Sequence, residues 1–178
     1  PLGTKDWGRG LPRLEKHTFD NRPLLGTTAA GQEILLGGFS SLWFEGMTSD
    51  GKMKFLTNPD RGPNAEPFNI GVILKRPFAL PNYQARLVRF EFDTTSKAIT
   101  ITQQLPLFRP DGTTPISGRP NLQAQAQGLA YTDEFGIDLY GNPIANDELG
   151  GDLEGVVVAP DGSFYLVDEY RPAIYNFD

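Results

Sequence analysis

Residues Gly151 to Tyr170 read GDLEGVVVAPDGSFYLVDEY, and the way this stretch pairs with itself decides the fold. Asp161-Gly162 between two apolar runs is the strongest short-range signal for a two-residue hairpin turn, so residues 156–159 and 164–167 become antiparallel neighbours. Centring the turn there sets Pro160 against Ser163, Val158 against Tyr165, Val156 against Val167 and Glu154 against Glu169. Like charges directly opposite on a ladder are destabilising. A bulge that slips the register by one only brings a neighbour such as Asp168 into Glu169's place. A cation, or a proton, is therefore expected between the acids that open and close the hairpin.

Working outward, Val156, Val158, Tyr165 and Val167 fall on one face of this predicted hairpin, and Val157, Ala159, Phe164 and Leu166 on the other. Apolar side chains on both faces call for cover on both sides. A second unit of the same kind precedes it: Asp50-Gly51 separates an apolar run from KMKFLTN, and Asp60-Arg61-Gly62-Pro63 follows as Asp168-Glu169-Tyr170-Arg171-Pro172 follows the later one. An internal repeat is expected. Between the two, Val88, Phe90 and Phe92 alternate with Arg89 and Glu91, which is the pattern of an antiparallel strand with one wet face. Antiparallel units repeating at roughly 40 to 50 residues or more, with inner hairpins sandwiched between neighbours, describe an all-β propeller. An antiparallel β-sandwich is the alternative. Residues 106–150, rich in Pro, Gly, Gln and Asn, read as a long inter-blade loop within a domain spanning 33–178, and residues 1–32 read as an extended N-terminal arm.

The charge is segregated. All 16 Lys and Arg lie outside residues 120–170, whereas Asp133, Glu134, Asp138, Asp147, Glu148, Asp152, Glu154, Asp161, Asp168 and Glu169 lie inside, so the formal net charge of −6 is an acidic segment attached to a mildly basic remainder. An oxygen-seeking cation such as Ca2+ suits an acid-rich, cysteine-free region better than zinc or copper. Asp133, Glu134, Asp147 and Glu148 are expected on solvated loops.

The outer bounds agree with one soluble domain. The chain has 178 residues, 39% hydrophobic and 11% aromatic, enough for a packed core, and its 20 Gly and 15 Pro favour turns over long helices. No apolar run approaches the roughly 20 residues of a membrane helix. There is no signal peptide and no initiator Met, so Pro1 is expected to follow processing or trimming. The absence of cysteine rules out disulfide staples and thiol chemistry. A pI near 4.8 argues against nucleic acid as a partner. The single histidine, His17, has no second His or Cys to act with and is expected at the surface or in a hydrogen bond.

The segments GGFSSL, LTNPDRGPN and DLEGVVVAPDGSFYLVDEYRPAIYNFD resemble the phytase-like family known as "esterase-like activity of phytase", over Gly37 to Asp178. The resemblance implies a propeller of which this chain supplies the first blades, the remainder following on the same protein or on another chain. It also implies an extracytoplasmic, periplasmic or secreted location. Similarity to the calcium-dependent β-propeller phytases is more distant. It implies that Glu154 and Glu169 bind Ca2+ as cofactor, with Asp168 and, at the matching strand end of the first unit, Asp60 as further ligands. The implied reaction is metal-assisted hydrolysis of a phosphate ester or related small anionic ester, with Arg61 and Arg171 as substrate-binding forks. A serine-dependent esterase is disfavoured: no G-x-S-x-G elbow is present, and packing accounts for Ser40 and Ser41. Two further readings stay open, a metal-dependent lactonase-like propeller and a non-catalytic propeller that binds a protein or glycan partner and keeps its metal for structure.

Overall fold

A computed structural model describes residues 13–121, 134–170 and 172–178. The chain is all-β, with twelve strands and no helix among the described residues. No helix there is long and apolar enough to cross a membrane, which leaves β-barrels unaddressed.

Two antiparallel sheets carry the architecture. The first is the four-stranded sheet β3 (Trp43–Met47), β4 (Met53–Thr57), β7 (Arg86–Phe92) and β8 (Ile99–Pro106), and the second is the three-stranded sheet β10 (Leu153–Val158), β11 (Phe164–Asp168) and β12 (Ala173–Phe177). Each is led by an Asp-Gly hairpin, but residues 58–85 intervene before the third strand of the first sheet and only residues 169–172 before that of the second. The turns, however, are three residues long. In the second sheet Ala159 N–H donates to Ser163 O (2.9 Å) and Gly162 N–H to Ala159 O (3.0 Å), with Gly162 at φ 93. In the first, Thr48 N–H donates to Lys52 O (2.9 Å), with Gly51 at φ 87. A three-residue loop ending on a left-handed glycine is the next commonest hairpin closure after the two-residue one.

That extra residue moves the register by one. Val158 faces Phe164 and Val156 faces Leu166, in place of Tyr165 and Val167. Val156, Val158, Phe164 and Leu166 therefore share a face, which is turned to the first sheet. Between the sheets lies the core: Leu56 and Leu87 meet Leu153, Val156 and Leu166, none more than 7% exposed. The opposite face of the second sheet is bare, with Val157 51%, Val167 47%, Tyr165 40% and Ile174 71% exposed. The expectation of cover on both faces of this hairpin is thus corrected: in this chain one face packs and the other is open.

The far face of the first sheet is partly covered. Phe44, Phe55 and Phe90 stack across it, and Phe19 lies 5.0 Å from both Phe39 and Phe90. The His17 ring sits 4.7 Å from Phe92. Leu42, Phe44 and Met47 stay half exposed or more. Residues 13–22 contain no strand, while β1 (Leu24–Thr27) and β2 (Glu33–Leu35) form a separate hairpin that begins inside the stretch read as the arm.

The segment 106–150 is more structured than a plain loop. Ala85 N–H donates to Ile116 O and Leu107 N–H to Ala85 O, both at 2.8 Å, which fastens the first part of the segment to the lead-in of β7. Further on, β9 (Phe135–Ile137) adds in parallel to β6 (Ile73–Pro77), which is paired with β5 (Phe68–Ile70). Asp147 is buried at 5% exposure, accepting from Ser117 Oγ (2.6 Å) and pairing with Arg109. Glu134 is held by Arg76, Nη2 to Oε1 at 2.7 Å. Both acids were expected on solvated loops; arginines distant in sequence bring them inside. Glu148 is exposed as expected, and Asp133 lies outside the described residues.

Candidate functional site

The acids at the mouth of the second hairpin are positioned by a bulge. Leu153 pairs with Asp168, the register shifts between Leu153 and Val156, and Glu169 N–H donates to Asp152 O (2.9 Å). The residue facing Glu169 is therefore Asp152, and the predicted Glu154–Glu169 pairing is corrected. Two causes act in sequence: the three-residue turn shifts the ladder by one, and the Glu154-Gly155 bulge absorbs a further residue. The crowding of carboxylates survives the correction. One oxygen from each of Asp152, Glu154 and Glu169 lies within 4.8 Å of the others.

Asp60 arrives from the end of the first hairpin. Its N–H donates to Gly38 O (3.1 Å) and its Oδ1 accepts Gly62 N–H (3.0 Å), which leaves the carboxylate half-buried beside the other three. Burial raises its pKa, and Glu169 adds to the rise. The two hairpins are stitched together just behind this point by Asn58, wholly buried, whose Nδ2 donates to Leu153 O and Pro59 O while its Oδ1 accepts Ser41 Oγ. Ser41 thus acts through hydrogen bonds, and Ser40 hydrogen-bonds the Glu154 carboxylate, where packing alone was the expectation for both.

The cation absent from residues 120–170 comes from Arg61. Its backbone N–H donates to Asp152 Oδ1 (3.2 Å), and its Nη2 pairs with Asp152 Oδ2 and lies 3.6 Å from Glu169 Oε2. Its Nη1 is 3.5 Å from Glu134 Oε2, and its guanidinium sits 5.3 Å over the Tyr170 ring. Tyr170 is fixed in turn by its hydroxyl, which donates to Gly118 O (2.9 Å), and a side chain at Gly118 would collide with the Arg61 carbonyl. The arginine is thus held from several directions at once.

Asp152 is fully buried. Burial pushes its carboxyl up to about 7; Arg61 opposes the rise, and Asp60, Glu169 and Glu154 reinforce it. Glu154 is raised for the same reasons, burial first, then Asp60 and Glu169. One arginine does not neutralise four neighbouring carboxylates.

Asp168 is placed differently. It is buried, its Oδ1 accepts Asp152 N–H (2.9 Å) and Tyr170 N–H (3.3 Å), and its Oδ2 accepts Asn121 Nδ2 (2.8 Å). It buckles the mouth of the hairpin and is not among the converging oxygens. Arg171 lies outside the described residues. Of the residues singled out in the sequence, then, the fold gathers Asp60, Arg61, Glu154 and Glu169 and sets Asp168 behind them. It adds Asp152, Glu134 and Tyr170. Asp152 stood in the opening stretch and reaches its place only through the longer turn and the bulge together; Glu134 carried no local signal.

The donor set fits a hard divalent ion. Every donor is a carboxylate oxygen, and two oxygens on opposite sides of a Ca2+ at 2.3–2.6 Å stand roughly 4.6–5.2 Å apart, the scale of this cluster. The chain is thus all-β among its described residues, with three carboxylates of the second hairpin converging and Asp60 reaching toward them from the first. Residues 34–178 match the phytase-like family model, "esterase-like activity of phytase", and the chain belongs to that family. Neither curated proteins nor solved structures offer a match.

Proposed function

We propose that Asp152, Glu154 and Glu169, with Asp60, hold a Ca2+ ion, and that the protein is an extracytoplasmic, phytase-like hydrolase of phosphate esters or related small anionic esters. The observation that carries this reading is the convergence of three carboxylate oxygens within 4.8 Å on a site still anionic after Arg61 is counted. Bound there, the ion would neutralise substrate oxygens and polarise a water nucleophile. Arg61 offers the planar fork that suits a phosphoryl group, and Arg171 is the second candidate for that role. Asp168 orders the backbone from which Asp152 and Tyr170 project. Two facing antiparallel sheets whose outer faces carry exposed apolar side chains support the propeller architecture, in which further blades would cover those side chains.

Arg61 itself favours a second reading. A carboxylate cluster with a built-in guanidinium is partly satisfied without metal, as a non-catalytic propeller that binds a partner would have it. Two measurements separate the readings. Calorimetry should show Ca2+ binding by the wild type and its loss in Glu154→Gln, and a panel of phosphate monoesters and lactones should show turnover that stops on chelation. Ca2+ binding without turnover favours the partner-binding protein. Undiminished turnover in chelator refutes the metal-assisted mechanism.

A further inference from the structure

Of the two Asp152 oxygens, Oδ2 is the one on which a cation and Arg61 would meet. The Oδ1 atom accepts the backbone N–H of Arg61 (3.2 Å), and Oδ2, which accepts no hydrogen bond among the described residues, is in ion-pair contact with Arg61 Nη2. The same nitrogen lies 3.6 Å from Glu169 Oε2, the carboxylate across the ladder. A guanidinium therefore occupies the approach to two of the three carboxylates that converge. A divalent ion entering between them would meet a like charge at contact range, with screening weakest at the buried Asp152 end. The two cations cannot share Asp152 Oδ2 without strong repulsion.

The arginine also has somewhere to go. Glu134 Oε2 is 3.5 Å from Nη1, and Glu134 is fixed by a two-pronged pairing with Arg76, one prong being Nη2 to Oε1 at 2.7 Å. The Tyr170 ring lies under the guanidinium, its centroid 5.3 Å away, and is anchored through Gly118. A small rotation about the terminal side-chain bonds would exchange Asp152 for Glu134 while keeping the aromatic contact. The backbone N–H on Asp152 Oδ1 would stay in place throughout.

We propose, building on the metal reading above, that Arg61 is a displaceable internal cation: it neutralises Asp152 and Glu169 until a divalent ion arrives, then turns fully to Glu134, which it already approaches. The movement would turn a structural ion pair into an anion-binding fork only in the metal-loaded protein, so metal occupancy and anion affinity rise together. A linkage of this kind is reciprocal, and a guanidinium that competes with the ion lowers its apparent affinity.

The test is a calorimetric Ca2+ titration of the wild type, Arg61→Met and Arg61→Lys. If Arg61 competes, Arg61→Met binds Ca2+ at least about tenfold more tightly than the wild type, with Arg61→Lys between them. In the wild type the side-chain NMR signal of Arg61 Nε–H moves as Ca2+ is added, a readout that needs no variant to fold. Equal or weaker Ca2+ binding by Arg61→Met, or an Arg61 signal unmoved at saturation, overturns the displacement while leaving the metal site standing. Ca2+ binding by none of the three overturns the metal reading, and the displacement with it.

Discussion

As a structural acid and as a metal ligand, Asp168 makes different and measurable predictions. In Asp168→Ala three donors lose their acceptor at once: Asp152 N–H, Tyr170 N–H and Asn121 Nδ2. Hydrogen bonds to a charged group contribute about 1.5–3 kcal/mol each, and the losses are not fully additive because the three donors share one carboxylate. A total of roughly 4 kcal/mol is a fair expectation, a large part of the about 5–15 kcal/mol that holds a domain together. In Asp168→Asn the side-chain oxygen can keep both backbone donors, but its NH2 meets the Asn121 NH2, so the loss should be about half as large. Urea denaturation of wild type and both variants, each with chelator and with saturating Ca2+, provides the assay, with the midpoint expected to move and the slope to stay constant. A structural buckle destabilises by a similar amount in both conditions. If Asp168→Ala loses less than about 1 kcal/mol in chelator and the penalty appears only with Ca2+, Asp168 is a ligand and the placement argued above is wrong.

Two further expectations concern titration and packing. The Asp152 carboxyl, raised to about 7 in the folded chain against an ordinary value of 3.8, binds more protons folded than unfolded between those limits. Its contribution is fully present below pH about 4 and is lost as pH rises through about 7, so the metal-free protein should lose stability across that window; Asp152→Asn should flatten the profile, and a wild-type profile that rises with pH over the window would contradict the assignment. Leu166 and Tyr165 are adjacent on β11 but point opposite ways, 1% and 40% exposed. Leu166→Ala should therefore destabilise by about 2–5 kcal/mol and Tyr165→Ser by under about 1 kcal/mol, and comparable losses by thermal or urea melts would show that the wrong face was taken as the core.

Much of the fold was legible because its signals are local. Asp50-Gly51 and Asp161-Gly162 mark the two leading hairpins, and the alternation through Val88, Phe90 and Phe92 marks β7. Turn length was not legible: Asp-Gly serves two-residue and three-residue loops alike, and the choice is made by which closure lets Val156 and Leu166 reach Leu56 and Leu87. That residue, together with the one absorbed by the Glu154-Gly155 bulge, puts Asp152 opposite Glu169 in place of Glu154. The need for a cation could be read from the charge pattern, but its source could not, because Arg61 contacts Asp152 across 91 positions of sequence. The parallel addition of β9 to β6 lay beyond local pattern for the same reason.

The guanidinium and the carboxylate it holds belong to different copies of a repeated hairpin. Neither copy, made as a separate peptide, would contain the centre, which comes into being only when the sheets close on one another. Any probe that senses Arg61 against Asp152 is therefore also a gauge of whether the two halves have docked, and a divalent ion that settles there fastens one half to the other.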